Sequence, residues 1–154
     1  WMSAFERLGI NVLRNRHVVL EKNGAKLALA GITDRAARGA GRPLPDVEVA
    51  FKGVPDGLTK ILLAHRPNAV PEDRLYSVDL QLSGHTHGGQ LFLLAWPAKR
   101  RNDGYLSGWY EIESRRMYVS TGAGLWNGFP IRLGVPSEIV HLTLRSGHIK
   151  AGSD

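Results

Sequence analysis

The sequence contains no cysteine. That absence excludes disulfide frameworks, thiolate metal sites and cysteine nucleophiles together, while leaving the compartment open. Long hydrophobic runs are missing as well. Stretches such as residues 91–97 are far too short to cross a bilayer, and no signal-peptide pattern is read at the start. The chain itself is therefore expected to be soluble. It shows no internal repeat and no low-complexity segment. With 43% apolar and 22% charged residues, disorder is excluded as the default. The 154 residues suffice to bury one core. We expect one domain, or part of one, over residues 1–147, with residues 148–154 as a frayed tail.

Acidic residues are the minority: fourteen against twenty Lys and Arg, a net charge of +6. Such a balance favours anionic partners, whether nucleic acid, phosphorylated small molecules or an anionic membrane. The basic residues are not gathered into a nucleic-acid stripe. The densest run, Lys99-Arg100-Arg101, lacks aromatic interleaving and reads as a solvated loop, with a phosphate or lipid contact as the less favoured alternative. No nucleic-acid partner is expected.

The first residues place apolar side chains at Trp1, Met2, Phe5 and Leu8, a helical spacing that Gly9 can end. An amphipathic helix beginning at full stride, with Trp1 ahead of Met2, reads as a piece of a longer chain. Residues 10–13 and 18–20 read as short strands, and 26–32 as a nearly all-apolar strand after an Asn23-Gly24 turn. Residues 33–46 read as a surface loop, and 46–54 as a short helix capped by Asp46. A buried-type strand at 60–64 runs into His65-Arg66-Pro67. A helical turn is expected at 71–76, then a strand at 78–84 running into His85-Thr86-His87-Gly88-Gly89. Residues 90–94, 108–112, 116–121 and 138–145 read as strands without a helix among them. Strand–helix units followed by consecutive strands predict a mixed α/β fold.

Three of the six histidines sit at carboxyl ends of predicted strands: His65, His85 and His87. In open α/β sheets, ligands bind at that edge. Neutral imidazole suits Zn, Mn, Fe and Ni, and two histidines at i and i+2 on a turn can serve two neighbouring ions. Gly84, Gly88 and Gly89 around Thr86 permit close backbone approach to an ion or phosphate. Taken singly, these features also fit surface or capping roles; it is their conjunction that favours a metal site. His17, His141 and His148 lack that setting and read as structural.

These residues resemble a known family. Ile61-Leu62-Leu63-Ala64-His65-Arg66-Pro67 and Leu82-Ser83-Gly84-His85-Thr86-His87-Gly88-Gly89-Gln90 look like the last two motifs of the calcineurin-like metallophosphoesterases. More narrowly they resemble its bacterial, membrane-associated branch. The likeness continues through Gly104-Tyr105-Leu106-Ser107-Gly108, Tyr118-Val119-Ser120-Thr121-Gly122 and residues 130–139. The resemblance implies the C-terminal half of a β-sandwich of two mixed sheets flanked by helices. It implies that His65 and His85 ligate the second of two divalent ions (Mn, Fe, Zn or similar), and His87 the first. Attack on a phosphoester by a metal-activated hydroxide would follow, from ions about 3.5–4 Å apart. Arg66 is a candidate for holding the substrate phosphate, against an outward-facing alternative.

The family's earlier Asp-x-His, Gly-Asp and Gly-Asn-His motifs do not occur in this sequence. Two cations need an anionic bridge, and the one acidic residue at a comparable position, Asp34, reads better as a turn or cap. The expectation is therefore a fragment that is inactive alone and holds one metal weakly or none. Its partners would be a phosphorylated substrate and the absent half of its domain, or a second copy in a homodimer or swapped assembly. The parent would be a membrane-associated bacterial enzyme. The alternatives are a non-enzymatic phosphate- or metal-binding module and, less favoured, a basic nucleic-acid-binding domain.

Overall fold

Local chemistry accounts for the first elements of the computed structural model, which describes residues 2–145 apart from 72–74, 76, 114, 127 and 129, and apart from the Ala40 side chain. Helix α1 spans Met2–Arg7. It ends in a Schellman cap: Gly9 lies at φ 75°, its N–H donates to Glu6, and the Ile10 N–H donates to Phe5. That cap corrects the strand expected at 10–13. Ile10 is consumed in closing the helix, and the chain then crosses Gly31, where an added Cβ would lie 2.7 Å from Leu13.

Strands β1 (Arg16–Lys22) and β2 (Ala25–Gly31) form the expected hairpin. Asn23 and Gly24 both take positive φ at its turn, as a two-residue turn between right-twisted strands requires. The loop expected at 33–46 contains a 3₁₀ turn over Arg35–Ala40, capped by the Asp34 carboxylate on the Ala36 N–H. Helix α2 spans Val47–Phe51 with Asp46 capping the Val49 N–H, as its sequence predicts. Strands β3 (Thr59–Leu63) and β4 (Leu80–Ser83) follow. The helical turn expected at 71–76 falls largely outside the described residues, as do Trp1, His148 and the tail.

The second half corrects three expectations. Residues 90–94 form no strand; Leu91 makes a single bridge to Leu133, and Phe92–Leu94 is a 3₁₀ turn. It leads into helix α3, Ala95–Arg101, so Lys99-Arg100-Arg101 is a helical turn rather than a loop. Leu, Ala, Lys and Arg favour helix, and Pro97 falls in the first turn, where its missing N–H has no intrahelical role. After β5 (Gly108–Ile112) and β6 (Arg115–Val119), residues 138–145 alternate as a strand would but pair with none among the described residues. Alternation supplies two faces but no ladder partner, and Ile139 remains 92% exposed.

The six strands make one mixed sheet in the order β1-β2-β3-β4-β6-β5. The four central strands are parallel and both edge pairs antiparallel. This is an α/β fold: one mixed sheet with a few short helices. One face carries Ala28, Ala30 and Leu62, buried against Val47, Ala50 and Phe51 of α2 and against Ala69, Leu75 and Val78. The opposite face carries Val18, Leu20, Leu29, Leu63 and Leu82, which line an open apolar groove of about 800 Å³. That groove runs to His65 and Gly84 at the carboxyl ends of β3 and β4.

Candidate functional site

Parallel pairing fixes where the histidines emerge. The ladder between β3 and β4 continues past the strands: the Ala64 N–H donates to Leu82, and the Gly84 N–H to His65. The backbones of His65 and His85 therefore leave the sheet side by side. Buried Gln81 donates to the Pro67 carbonyl at 2.9 Å, so β4 also holds the turn after His65. Their imidazole rings meet edge to face with centroids 5.0 Å apart.

Residues 85–90 are held in an unusual backbone. His85, His87 and Gln90 lie at φ 70°, 50° and 61°, beside Gly88 and Gly89 at 60° and 82°. Non-glycine residues in this region carry conformational strain, which clusters at ligand-binding sites. The loop is pinned at its base. The buried Thr86 hydroxyl donates to the Leu106 carbonyl and accepts from the Gly88 N–H, and the Gln90 carbonyl and side chain accept from Leu133 and Trp126. The expected supporting glycines are not equivalent. A Cβ on Gly88 would press Val135 and Thr121, and one on Gly89 the Ala95 backbone, whereas one on Gly84 would make only an ordinary contact with the Ser120 carbonyl at 4.0 Å.

A chain of polar contacts joins the ends of β2, β3 and β4. Arg66 Nε donates to both Asp34 oxygens, at 2.9 and 3.2 Å, and Nη1 lies 2.7 Å from His85 Nε2. Guanidinium is only a donor, so His85 Nε2 accepts and its proton sits on Nδ1, which donates to His65 Nε2 at 3.2 Å. Burial, with the Arg66 charge, lowers the His85 pKa to about 4. The ring is neutral at physiological pH. Burial raises the Asp34 carboxyl, but the Ala36 N–H and Arg66 outweigh it and leave it below the usual value. Arg66 thus faces inward between Asp34 and His85, not outward.

His87 lines a cavity of about 680 Å³ together with Arg66, His85 and Arg101. Burial and the neighbouring Arg132 charge hold its pKa down, and its Nδ1 is buried without a hydrogen-bond partner. In kind, these donors fit a divalent metal: neutral imidazoles, one with an orphaned buried nitrogen. In number they fall short. Among the described residues, no group of three or more His, Asp or Glu side chains could hold a metal ion. Two of the nitrogens that would ligate are engaged by Arg66 and by the neighbouring ring.

Sequence reasoning missed two groups here. Asp34 does cap a turn, as read, but its second role as the anchor of Arg66 is a contact across 32 residues. Arg132 lies within the matching stretch 130–139. Its Nη2 donates to the Thr121, Gly122 and Gly124 carbonyls at 2.8, 3.0 and 2.6 Å, and Nη1 reaches the His87 carbonyl. Nothing local marks it. His17 Nδ1 donates to the Ala50 carbonyl at 2.8 Å, consistent with its structural reading.

Comparison with known proteins places this geometry in context. The chain is 38% identical over 145 residues to an uncharacterized metallophosphoesterase of Helicobacter pylori, covering 93% of this chain and 38% of that protein. It is 36% identical over 142 residues to the uncharacterized metallophosphoesterase YkuE of Bacillus subtilis, covering 90% of this chain and 48% of that protein. A zebrafish transmembrane protein with metallophosphoesterase domain is 36% identical over 153 residues, 94% of this chain and 35% of that protein. The chain therefore spans less than half the length of these relatives. No family model matches it, and no solved structure does. With histidine strand ends on a mixed α/β sheet and this breadth of identity, the chain belongs to the calcineurin-like metallophosphoesterase superfamily.

Proposed function

We propose that this chain supplies the histidine side of a dinuclear phosphoesterase centre. The observation that carries the reading is the meeting of His65 and His85 at adjacent parallel strand ends, with His87 lining the same cavity as His85. His65, His85 and His87 would hold the divalent ions, Mn, Fe or Zn, and the carboxylates would come from polypeptide beyond these 154 residues. Such ions supply a nucleophilic hydroxide near neutral pH and neutralise phosphoryl oxygens. The chain's own residues prepare that chemistry. His85 and His87 stay unprotonated, so no proton has to leave before they ligate. Asp34 and Arg66 hold the His85 ring in place until Arg66 yields Nε2 to a metal, and Arg132 ties the His87 loop to 121–124. Arg66 and Arg101 give the cavity positive charge for a phosphomonoester, phosphodiester or pyrophosphate.

In this reading the 154 residues alone are inactive, because three imidazoles do not neutralise two cations. The apolar groove along Leu29, Leu63 and Leu82 would be covered by the rest of the domain, or by a second copy. That the zebrafish relative is a transmembrane protein supports membrane association of the whole protein. Among the described residues no helix is long and apolar enough to cross a membrane, so any spanning segment would lie elsewhere.

The test is hydrolysis of a chromogenic phosphodiester with Mn²⁺ by the protein carrying its natural flanking sequence. His65→Ala, His85→Ala and His87→Ala should each lower turnover at least about 100-fold, as loss of metal affinity does. His17→Ala should not. A longer protein with an Asp-rich first half and no turnover with any divalent ion refutes the reading. One observation favours a second reading, an anion-binding module without metal: the Arg66 guanidinium already occupies His85 Nε2. Metal analysis separates the two, since the longer protein should carry two ions per chain only in the first.

A further inference from the structure

Helix α3 and the turn before it have two faces of different chemistry. Leu94, Pro97, Ala98 and Arg101, spaced at i, i+3, i+4 and i+7, line the histidine cavity. The other side presents Phe92, Leu93 and Trp96, which are 55%, 74% and 69% exposed. The Leu91–Leu133 bridge sets a second exposed segment alongside, with Ile131 and Leu133 at 63% and 58%. Three consecutive cations follow, and the Arg100 guanidinium stands 5.6 Å from the Trp96 ring centre, so charge and aromatic surface adjoin. No acidic residue occurs between Asp79 and Asp103.

Cations in a last helical turn complement the helix dipole, which accounts for Lys99-Arg100-Arg101 but not for Leu93 and Trp96 in water. The uncovered sheet face offers a contrast. Its groove has no Lys or Arg in its lining and suits another packed layer. The α3 surface combines Trp, Leu and Phe with adjacent Lys and Arg, the composition that seats helices in a bilayer interface.

We propose that the outer face of α3 and its preceding turn docks on an anionic lipid surface. Leu93 and Trp96 enter the headgroup region, and Lys99 and Arg100 meet lipid phosphates. The cavity wall formed by Leu94, Pro97 and Arg101 is then held at the membrane. This goes beyond the association proposed for the whole protein: it assigns the contact to residues of this chain, and it holds whether or not another segment crosses the bilayer or the site hydrolyses a phosphoester.

The test is co-sedimentation of the 154-residue chain with phosphatidylcholine vesicles, with and without roughly 30% phosphatidylglycerol, followed also by tryptophan fluorescence. Binding should require phosphatidylglycerol and fall as salt rises from about 0.1 to about 0.5 M. A Leu93→Ser, Trp96→Ser double variant should partition at least about 10-fold less. Lys99→Gln with Arg100→Gln should lose about 10-fold or more on anionic vesicles, at roughly one decade or less per charge. All these side chains are exposed, so circular dichroism should remain that of the parent chain. Equal binding with and without phosphatidylglycerol overturns the proposal, as does binding unchanged by both double variants. So does binding abolished by Leu63→Ser on the sheet face but retained by the α3 variants. If instead the α3 variants abolish self-association seen by sedimentation, and vesicles bind no variant, the occupant is a second copy and the proposal fails.

Discussion

Gly89→Ala tests the seating of the histidine loop most sharply. Gly89 lies at φ 82°, and a Cβ built there would sit 2.7 Å from both Cα and N of Ala95 and 3.0 Å from the Leu94 carbonyl carbon. All three obstructing atoms are backbone, so no side chain can rotate aside. Left-handed backbone costs an L-residue about 1–2 kcal/mol. Forcing a methyl group against packed backbone adds about 1–3 kcal/mol. The sum, about 2–5 kcal/mol, is a large share of the roughly 5–15 kcal/mol that holds a domain folded. Gly104→Ala separates the two contributions, because Gly104 lies at φ 92° with no atom within 4 Å of its added Cβ. It should lose only the conformational part, about 1–2 kcal/mol. Gly88→Ala should fall between them, since its obstacles, Val135 Cγ1 and Thr121 Cγ2, end side chains that can yield. Urea midpoints at unchanged m-value give the three numbers directly. If Gly89→Ala and Gly104→Ala are equally destabilised, α3 does not rest on the loop and the cavity wall described above is misplaced.

Two further perturbations probe the polar frame. In metal-free buffer, His85 should make the fold acid-sensitive between about pH 6.5 and pH 4, because its folded pKa, near 4, lies below the unfolded value. The unfolded chain binds the extra proton in that window, so stability is complete above about pH 6.5 and falls on acidification. A shift of this size is worth ~3 kcal/mol undiluted; solvent screening of a half-exposed ring reduces it to about 1–2 kcal/mol. Urea midpoints of the parent and His85→Gln should diverge across that window, and superimposable pH profiles would remove the claim of a neutral, Arg66-bound ring. Arg132→Met should remove the donor from the half-buried Thr121 carbonyl, while the Gly122 carbonyl keeps the Glu138 N–H and the exposed Gly124 carbonyl meets water, and should cost about 1–2 kcal/mol. Hydrogen exchange that stays slow over residues 120–124 in Arg132→Met would count against this role.

What was legible in the sequence was local. The Asn23-Gly24 turn, the Asp46 cap and the apolar runs of β2 and β3 each carry their signal within a few residues, and each stands where it was read. Lys99-Arg100-Arg101 closes a helix rather than lying in a loop because the residues before it, Ala95 to Ala98, start one, with Pro97 in the first turn where its missing N–H has no intrahelical role. Residues 138–145 differ for another reason: the alternation is present, but pairing is a property of two segments. The site divides the same way. The strand-end positions of His65, His85 and His87 follow from sequence, whereas the contacts of Asp34 with Arg66 and of Arg132 with His87 span 32 and 45 residues and leave no periodic trace.

The apolar groove and the shortage of donors share one physical cause under the proposed function. The groove along Leu29, Leu63 and Leu82 terminates at His65, Ser83 and Gly84, so a layer laid upon it would end where the imidazoles emerge. A divalent cation cannot share His85 Nε2 with the Arg66 guanidinium, for like charges at such distances repel strongly in a partly desolvated site. Carboxylates delivered by that layer would change the balance twice, by offsetting the charge of the ions and by offering Arg66 another partner. Covering the sheet and releasing His85 to a metal then become a single event. Metal affinity should accordingly rise with whatever buries Leu63 and Leu82, rather than with any change made at the histidines alone.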